Sequence, residues 1–363
     1  MREAWMLFSR RLICACIFFA LAPTSWAENG GDASKIELRP EAVAFPDADE
    51  LAFFAGNEDV LWAGIPDGDA VEVYARGNGE DWEATGHSVP RQAVVVAEGD
   101  RLFAAGGLSG DEVLANAAVI RLEAGRSVWT ALPPLPEPRA LGAAVLHEGA
   151  LYFVGGASET GGKTPARSLF RLDPEAPAQG WERLEPMPGP GRLSPAVASR
   201  FGELLIFGGA VAEPGGGGFL IDSTAVGWRE VPVDSTERRG WRELSAMPVP
   251  LLGAVALPLG QSHAVLLGGV TGRETGADAR ELFGAEPSKS TLIYHAVTDS
   301  WLESTVLEDP LVLPATALRE EGALVVDLAN RVAYRLETQR TIRSLSILDY
   351  GVIAFYLAVI AVV

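Results

Sequence analysis

Leu204-Leu205-Ile206-Phe207-Gly208-Gly209, an apolar run that ends in two adjacent glycines, decides the fold. The same pattern ends at Gly106-Gly107, Gly155-Gly156 and Gly268-Gly269, and a weaker copy ends at Gly64. A tryptophan follows each copy after a variable loop, at Trp82, Trp129, Trp181, Trp241 and Trp301. The chain therefore repeats one unit about every 47 to 60 residues.

Each repeat can be divided into four short strands. In the third repeat, Ala140–His147 predicts the first strand, and a turn at Glu148-Gly149 leads to the run that ends in the glycine pair. Ser168–Leu172 predicts the third strand, and Trp181–Leu184 predicts the fourth. Short strands with turn residues at this period are typical of an all-β propeller. We expect the glycines to let neighbouring sheets approach closely and the tryptophans to pack between sheets.

The repeats predict six blades. Five of them centre on Gly64, Gly107, Gly156, Gly209 and Gly269. Ala323–Asp327 and Val332–Leu336 suggest a sixth blade that lacks its fourth strand. We expect Lys35–Arg39 to supply that strand, because joining the two ends closes the ring and removes free sheet edges. A seventh blade would have to lie within the long spacing Phe219–Trp241.

The first 27 residues have the pattern of a secretory signal peptide. Arg10-Arg11 precede an apolar stretch from Leu12 to Ala22, and Ser25-Trp26-Ala27 offers a cleavage site. Both cysteines of the chain fall within this leader, so the exported part has none. The sequence predicts that residues 28–344 form a propeller secreted across the inner membrane, in the periplasm or outside the cell.

Residues 345–363 predict a transmembrane helix. The stretch Ile347–Val363 is apolar except for Asp349 and is almost long enough to span a bilayer. It is either a complete C-terminal anchor or the first helix of a larger membrane domain, and we favour the second. The membrane is therefore an expected partner through residues 347–363.

Composition excludes several classes of function. The net charge of −19 repels nucleic acid, which we exclude as a partner. The four histidines (His87, His147, His263 and His295) fall in different repeats. Their spacing predicts no metal site, and no cofactor is expected.

Three connectors between repeats end in arginine: Arg91, Arg139 and Arg192. Since the first strand of a propeller blade is the innermost, these arginines could converge at one mouth of the central channel. Arginine suits a carboxylate or phosphate because it donates two parallel hydrogen bonds. The alternative is that they pair with local carboxylates such as Glu137 and hold the connectors in place. Long glycine-rich loops at 157–165, 210–218 and 270–289 emerge on the same face.

From Leu51 to Leu336 the glycine pairs and tryptophans resemble the kelch family, whose propellers include enzymes, sugar binders and protein-interaction modules. The connectors Met187–Arg192 and Pro136–Arg139 look like those of secreted bacterial sialic acid mutarotases, also called N-acetylneuraminate epimerases. This resemblance implies a sugar ligand, carboxylated like sialic acid, held by Arg91, Arg139 and Arg192. Glu137 or His147 would then exchange a proton with the ring oxygen or the anomeric hydroxyl.

Leu348-Asp349-Tyr350, followed by Val352–Leu357, is similar to the start of the first helix of sodium/solute symporters. The resemblance implies a propeller at the N-terminus of a transporter, with sodium bound only by a domain beyond Val363. The sequence thus predicts a membrane-tethered extracytoplasmic propeller that binds, and as an enzyme would mutarotate, an acidic sugar. The alternative is a non-enzymatic propeller that docks or regulates another protein.

Overall fold

The computed structural model describes residues 36–338, except 78–79, 124, 161–163, 201, 216–217, 230–239, 261, 273–274, 277–280 and 320–321. The predicted leader 1–27 and the predicted membrane segment 345–363 lie outside these residues. Within the described part, no helix has the length and apolar character needed to cross a membrane. Among the described residues, two short 3-10 helices, Pro177–Gln179 and Glu281–Gly284, accompany the strands.

Apart from short loop strands, the described strands form six groups of four in antiparallel order, named here units 1 to 6; one parallel pairing joins units 6 and 1 into an eight-stranded sheet. The first described strand, β1 (Ile36–Glu41), belongs to unit 6. Unit 1 contains β2 (Phe53–Gly56), β3 (Val60–Asp67), β4 (Ala70–Gly77) and β5 (Glu83–Pro90). Unit 2 contains β6 (Val94–Glu98), β7 (Arg101–Ala105), the hairpin β8 (Leu108–Ser109) and β9 (Glu112–Val113) outside the sheet, β10 (Ala117–Glu123) and β11 (Arg126–Leu132). Unit 3 contains β12 (Ala140–His147), β13 (Ala150–Ala157), β14 (Leu169–Leu172) and β15 (Glu182–Arg183).

Units 4 and 5 carry extra short strands in their loops. Unit 4 contains β16 (Ala196–Arg200), β17 (Glu203–Phe207), the loop strands β18 (Ala210–Ala212) and β19 (Phe219–Ile221), β20 (Ala225–Arg229) and β21 (Gly240–Leu244). Unit 5 contains β22 (Val255–Leu259), β23 (His263–Leu267), the loop strands β24 (Val270–Thr271), β25 (Thr275–Gly276) and β26 (Glu286–Pro287), β27 (Ser290–His295) and β28 (Ser300–Val306). Unit 6 contains β29 (Pro314–Arg319), β30 (Gly322–Asp327), β31 (Val332–Thr338) and β1.

The units are arranged in a ring. The innermost strands contact one another in the cyclic order β2, β6, β12, β16, β22, β29 and back to β2. A buried apolar cluster fills each gap between neighbouring units, as where Phe207 of unit 4 meets Leu266 and Tyr294 of unit 5. This is the arrangement of a β-propeller, in which each sheet buries its faces against its neighbours.

The N-terminal strand closes the ring, as the sequence predicts. β1 pairs antiparallel with β31, with Leu38 opposite Leu336, and so completes unit 6. At the end of β1, the Glu41 carboxylate accepts hydrogen bonds from Arg319 Nη1 at 2.7 Å and from Arg335 Nε at 2.8 Å. A carboxylate from one end of the chain thus binds two strands from the other end.

Replacing Glu41 by glutamine is expected to lower the free energy of unfolding by about 1–2 kcal/mol at neutral pH. Burial raises the pKa of Glu41, but hydrogen bonds from Arg335 and Arg319 outweigh it, and the net pKa is lowered. Because the pKa of Glu41 is lower in the folded than in the unfolded protein, its ionised carboxylate stabilises the folded protein fully at pH values above the unfolded-state pKa. This stabilisation is lost as the pH falls through the folded-state pKa. The difference between wild type and Glu41→Gln in urea unfolding should therefore shrink below about pH 4. Glu37→Gln, which removes an exposed ion pair with Arg39, is the control, and an equal effect of both variants would contradict this closure.

The glycine pairs let connectors from two units approach one sheet, which confirms their expected role. A Cβ atom added to Gly106 would lie 2.2 Å from the carbonyl oxygen of Arg139 in the next connector. The amide of Gly107 donates to that same oxygen at 2.7 Å. Only glycine fits such an approach at a positive φ, which is 69° at Gly106.

Four of the five repeat tryptophans join neighbouring units, as predicted. Each indole Nε1 donates a hydrogen bond of 2.7–2.8 Å to a backbone carbonyl of the connector that precedes its own unit. The pairs are Trp82 with Ala44, Trp181 with Pro133, Trp241 with Glu185 and Trp301 with Ser245. The indole therefore adds a directed bond to the apolar packing between units.

Candidate functional site

The central channel is an apolar cavity of about 460 Å³, lined by the innermost strands of all six units. Ser199 and Thr316 supply the hydroxyl groups of this lining, and its other residues are alanine, valine, leucine, phenylalanine, proline and glycine. Such a wall offers no charge to a carboxylate along its length. A polar ligand would therefore have to bind at a mouth of the channel.

Arg192 lies inside unit 4, with its side chain 1% exposed. Its Nη1 donates to the carbonyl oxygens of Gly208 and Thr224, both at 2.9 Å, and its Nη2 donates to the Thr224 hydroxyl. The Asp222 carboxylate lies 3.3 Å from Nη1. Burial lowers the pKa of Arg192, and the charge of Asp222 opposes this shift. The guanidinium thus joins the glycine pair to the segment that leads into β20.

Arg139 has the equivalent place in unit 3 and is 5% exposed. It donates from Nη1 to the Pro138 carbonyl at 2.8 Å and from Nε to the Ser168 hydroxyl at 3.3 Å, and its Nη2 pairs with Glu137. Ser168 in turn donates to the carbonyl of Gly155 at 3.4 Å. Both arginines therefore hold a connector against the glycine pair of the unit that follows it.

Arg91 is not equivalent to the other two arginines. Its carbonyl accepts the amide of Leu108 at 2.7 Å, a bridge that Leu193, the residue after Arg192, makes with Ala210 in unit 4. A residue with positive φ follows each bridge position, Gln92 at 55° and Ser194 at 42°. Arg91 therefore corresponds to Leu193 of unit 4 and not to Arg192, and at this position its side chain is exposed.

The expected convergence of three equivalent arginines at one mouth is wrong in this respect. Arg139 and Arg192 point into their own units, whereas Arg91 is exposed and is held by no hydrogen bond or ion pair to another described residue. The cause is the shorter connector before unit 2, which places the arginine one position later. The contacts of the three arginines with a ligand stay predictions. Of the three, Arg91 has the guanidinium that no described residue binds.

Glu137 binds two arginines. Its carboxylate accepts a hydrogen bond from Arg183 Nη1 at 2.6 Å and another from Arg139. The hydrogen bond from Arg183 is the main reason that its pKa is lowered; partial burial opposes the shift and Arg139 adds to it. A general acid or base works best with a pKa near the working pH, so this environment makes Glu137 a weak base.

His147 lies far from Glu137 and Arg139. It is the last residue of β12, whereas Arg139 immediately precedes the first, and an eight-residue strand separates its two ends by about 23 Å. Its side chain is buried; Nδ1 lies 2.8 Å from the Ser199 hydroxyl of β16, and the ring packs against Tyr152. The structure thus brings Glu137 and Arg139 together but leaves His147 near the opposite end of the channel, where it links units 3 and 4.

The side of the ring that carries the connectors with Arg91, Arg139 and Arg192 is called here the connector face. Loops of units 4 and 5 cover part of it. β18, β19 and β25 form a three-stranded sheet that joins the two loops. Beneath it lies an apolar cluster that includes Leu193, Leu252, Leu282 and the partly buried Phe283. Phe283 is the single aromatic residue of the loop 270–289, and it packs into this cluster. In the described part of the chain, no three histidine, cysteine or acidic side chains are grouped so as to hold a metal ion.

These features define a β-propeller with an apolar channel and a connector face built on buried arginines. No protein-family model matches the chain. It is similar to the N-acetylneuraminate epimerase of Salmonella arizonae, with 27% identity over 143 residues, which are 39% of this chain and 34% of that protein. It is also similar to the N-acetylneuraminate epimerase of Yersinia pestis, with 30% identity over 139 residues, which are 38% and 32% of the two chains. The match spans about a third of the length of these curated relatives.

The fold is similar to the solved structure of YjhT. The TM-score is 0.61 at 15% sequence identity, and the similarity covers 82% of this chain and 98% of that one. At this identity the likeness shows the propeller fold alone.

Proposed function

We propose that this chain is a six-bladed extracytoplasmic propeller that binds N-acetylneuraminate or a similar carboxylated sugar and accelerates the exchange of its anomers. The observation that carries this proposal is the similarity, over about 140 residues, to two proteins named N-acetylneuraminate epimerase. Its support in the structure is a connector face with a free arginine beside an apolar channel.

In this proposal the sugar binds where the channel opens on the connector face, a place called here the connector mouth. Arg91 contacts the carboxylate, because its exposed guanidinium can donate two parallel hydrogen bonds. Arg139 and Arg192 hold the connectors from inside the units and so fix the shape of the mouth. Glu137 stays charged beside Arg139 and Arg183, where it orders the same face.

Arg91→Ala is expected to weaken the binding of N-acetylneuraminate about tenfold or more, because a hydrogen-bonded charge is lost. The midpoint of thermal unfolding should not move, since the side chain is exposed. Isothermal titration calorimetry on the full chain in detergent measures the affinity. Arg126→Ala, which removes another exposed arginine, is the matched control. Equal affinities of Arg91→Ala and wild type would contradict the assignment of Arg91.

The enzymatic part of the proposal is tested by NMR magnetisation transfer between the two anomers of N-acetylneuraminate. The exchange rate should rise in proportion to the concentration of the full chain. An unchanged rate together with saturable binding would reduce the function to sugar binding. An unchanged rate without binding would remove the whole proposal.

We further propose that residues 1–27 direct export and that 345–363 anchor the propeller, as the start of a sodium/solute symporter-like domain. The support is the sequence pattern of the two ends. The gene sequence after codon 363 tests the transporter part. Further apolar spans would support it, and an immediate stop codon would contradict it.

A further inference from the structure

Trp129 departs from the pattern of the other repeat tryptophans. It has the same place in its sheet as Trp241 and Trp301, since it lies opposite Ile120 as they lie opposite Trp228 and Tyr294. Yet among the described residues none accepts a hydrogen bond from its Nε1, and its side chain is 40% exposed. An indole that binds units together elsewhere is open to solvent here.

The reason is the connector between units 1 and 2. β5 ends at Pro90 and β6 begins at Val94, so this connector is residues 91–93. The connector before unit 3 is residues 133–139, and its first carbonyl accepts the Trp181 indole. The short connector supplies no such carbonyl to Trp129. A cleft is left between the two units instead.

The cleft has a volume of about 270 Å³ and a mixed wall. Trp129 forms its aromatic side, and its polar side chains are Asp69, Ser88, Ser109 and Asn116. The pairing of β4 with β5 shifts its register between Glu72 and Tyr74. Next to this shift, His87 places its ring centroid 5.8 Å from that of Trp129.

We propose that the Trp129 cleft is a carbohydrate site for a single uncharged pyranose ring. An exposed indole offers an apolar face to the C–H groups of a sugar, while the carboxylate, amide and hydroxyl groups of the lining bind its hydroxyls. Asp69 is the charged residue of the wall, so a carboxylated sugar is repelled and a neutral one is accepted. The volume is at the small end of ligand pockets and suits one ring.

The test is NMR of the full chain in detergent with ¹⁵N-labelled tryptophan. Trp129→Phe assigns the Trp129 indole signal among those of the nine tryptophans. Methyl β-galactopyranoside and methyl β-glucopyranoside are the neutral probes, and N-acetylneuraminate is the acidic one. At least one neutral glycoside should shift the Trp129 signal with a Kd on the order of 1 mM, and N-acetylneuraminate should not.

Variants separate this site from the rest of the protein. Trp129→Ala and Asn116→Ala should each weaken binding of the neutral probe at least about tenfold, measured by saturation-transfer difference NMR. Val128→Ala, which changes the equally exposed neighbour, should leave it unchanged. The proposal is overturned if neither glycoside shifts the Trp129 signal, if N-acetylneuraminate shifts it equally, or if folded Trp129→Ala binds like wild type. Because the neutral glycosides and N-acetylneuraminate are titrated separately, failure of either site is distinguishable from failure of the other.

Discussion

Replacing Arg192 by methionine is expected to lower the free energy of unfolding by about 3–5 kcal/mol. Methionine approximates the length of the side chain but leaves the carbonyls of Gly208 and Thr224 without their donor. The Asp222 carboxylate would also lose the positive charge that lies 3.3 Å from it. Urea unfolding of the full chain, followed by near-ultraviolet circular dichroism, measures the change.

The matched control is Arg91→Met, the same substitution at an exposed arginine. It should change the free energy of unfolding by no more than about 0.5 kcal/mol. If Arg192→Met left stability unchanged while abolishing sugar binding, Arg192 would belong to the ligand site and its role in holding the connector would be wrong.

Gly155→Ala is expected to destabilise the protein by more than about 3 kcal/mol. The new Cβ would lie 2.4 Å from the carbonyl oxygen of Arg192, and the residue has a φ of 64°. Because the overlapping atom belongs to the backbone, the whole connector before unit 4 would have to move. The same carbonyl oxygen of Arg192 accepts a hydrogen bond from the Gly156 amide at 2.9 Å. Thermal unfolding of the purified variant measures the effect.

Gly149→Ala separates the close approach from the cost of positive φ. Gly149 lies in the turn between β12 and β13 with a φ of 77°, and a Cβ there meets no atom within 4 Å. It should cost about 1 kcal/mol, which is the backbone contribution alone. Similar losses in the two variants would show that the glycine pair does not need its close contact with the next connector.

The repeat and its closure could be predicted because they depend on local patterns. The strand Ala140–His147 and the turn after it follow from alternation and from Glu148-Gly149, and the structure has β12 over the predicted residues. The closing strand is predicted over Lys35–Arg39 and found over Ile36–Glu41. It could be found because the sixth repeat visibly lacked a partner strand.

The side-chain environment of the arginines could not be predicted in the same way. Their spacing from the glycine pairs does not reveal that Arg91 is shifted by one position, because the connectors differ in length. The burial of Arg192 depends on Asp222 and Thr224, which a long loop brings back to the connector. His147 is an exception, since the predicted length of its strand already separates it from Arg139.

The short connector that leaves the Trp129 cleft open is visible in the sequence. Val89-Pro90-Arg91 is visibly shorter than the other connectors, and a missing connector carbonyl leaves one tryptophan without its partner. What the sequence alone cannot supply is the role of the other four indoles as donors. The exposure of Trp129 is informative only in comparison with the four indoles that donate to a connector carbonyl.

Isothermal titration of the full chain with N-acetylneuraminate tests most directly whether this propeller recognises a carboxylated sugar. N-acetylmannosamine, which lacks the carboxylate, serves as the comparison. We expect saturable binding of N-acetylneuraminate that Arg91→Ala weakens and that the neutral sugar does not compete away. Absence of saturable binding of N-acetylneuraminate to folded protein would contradict it.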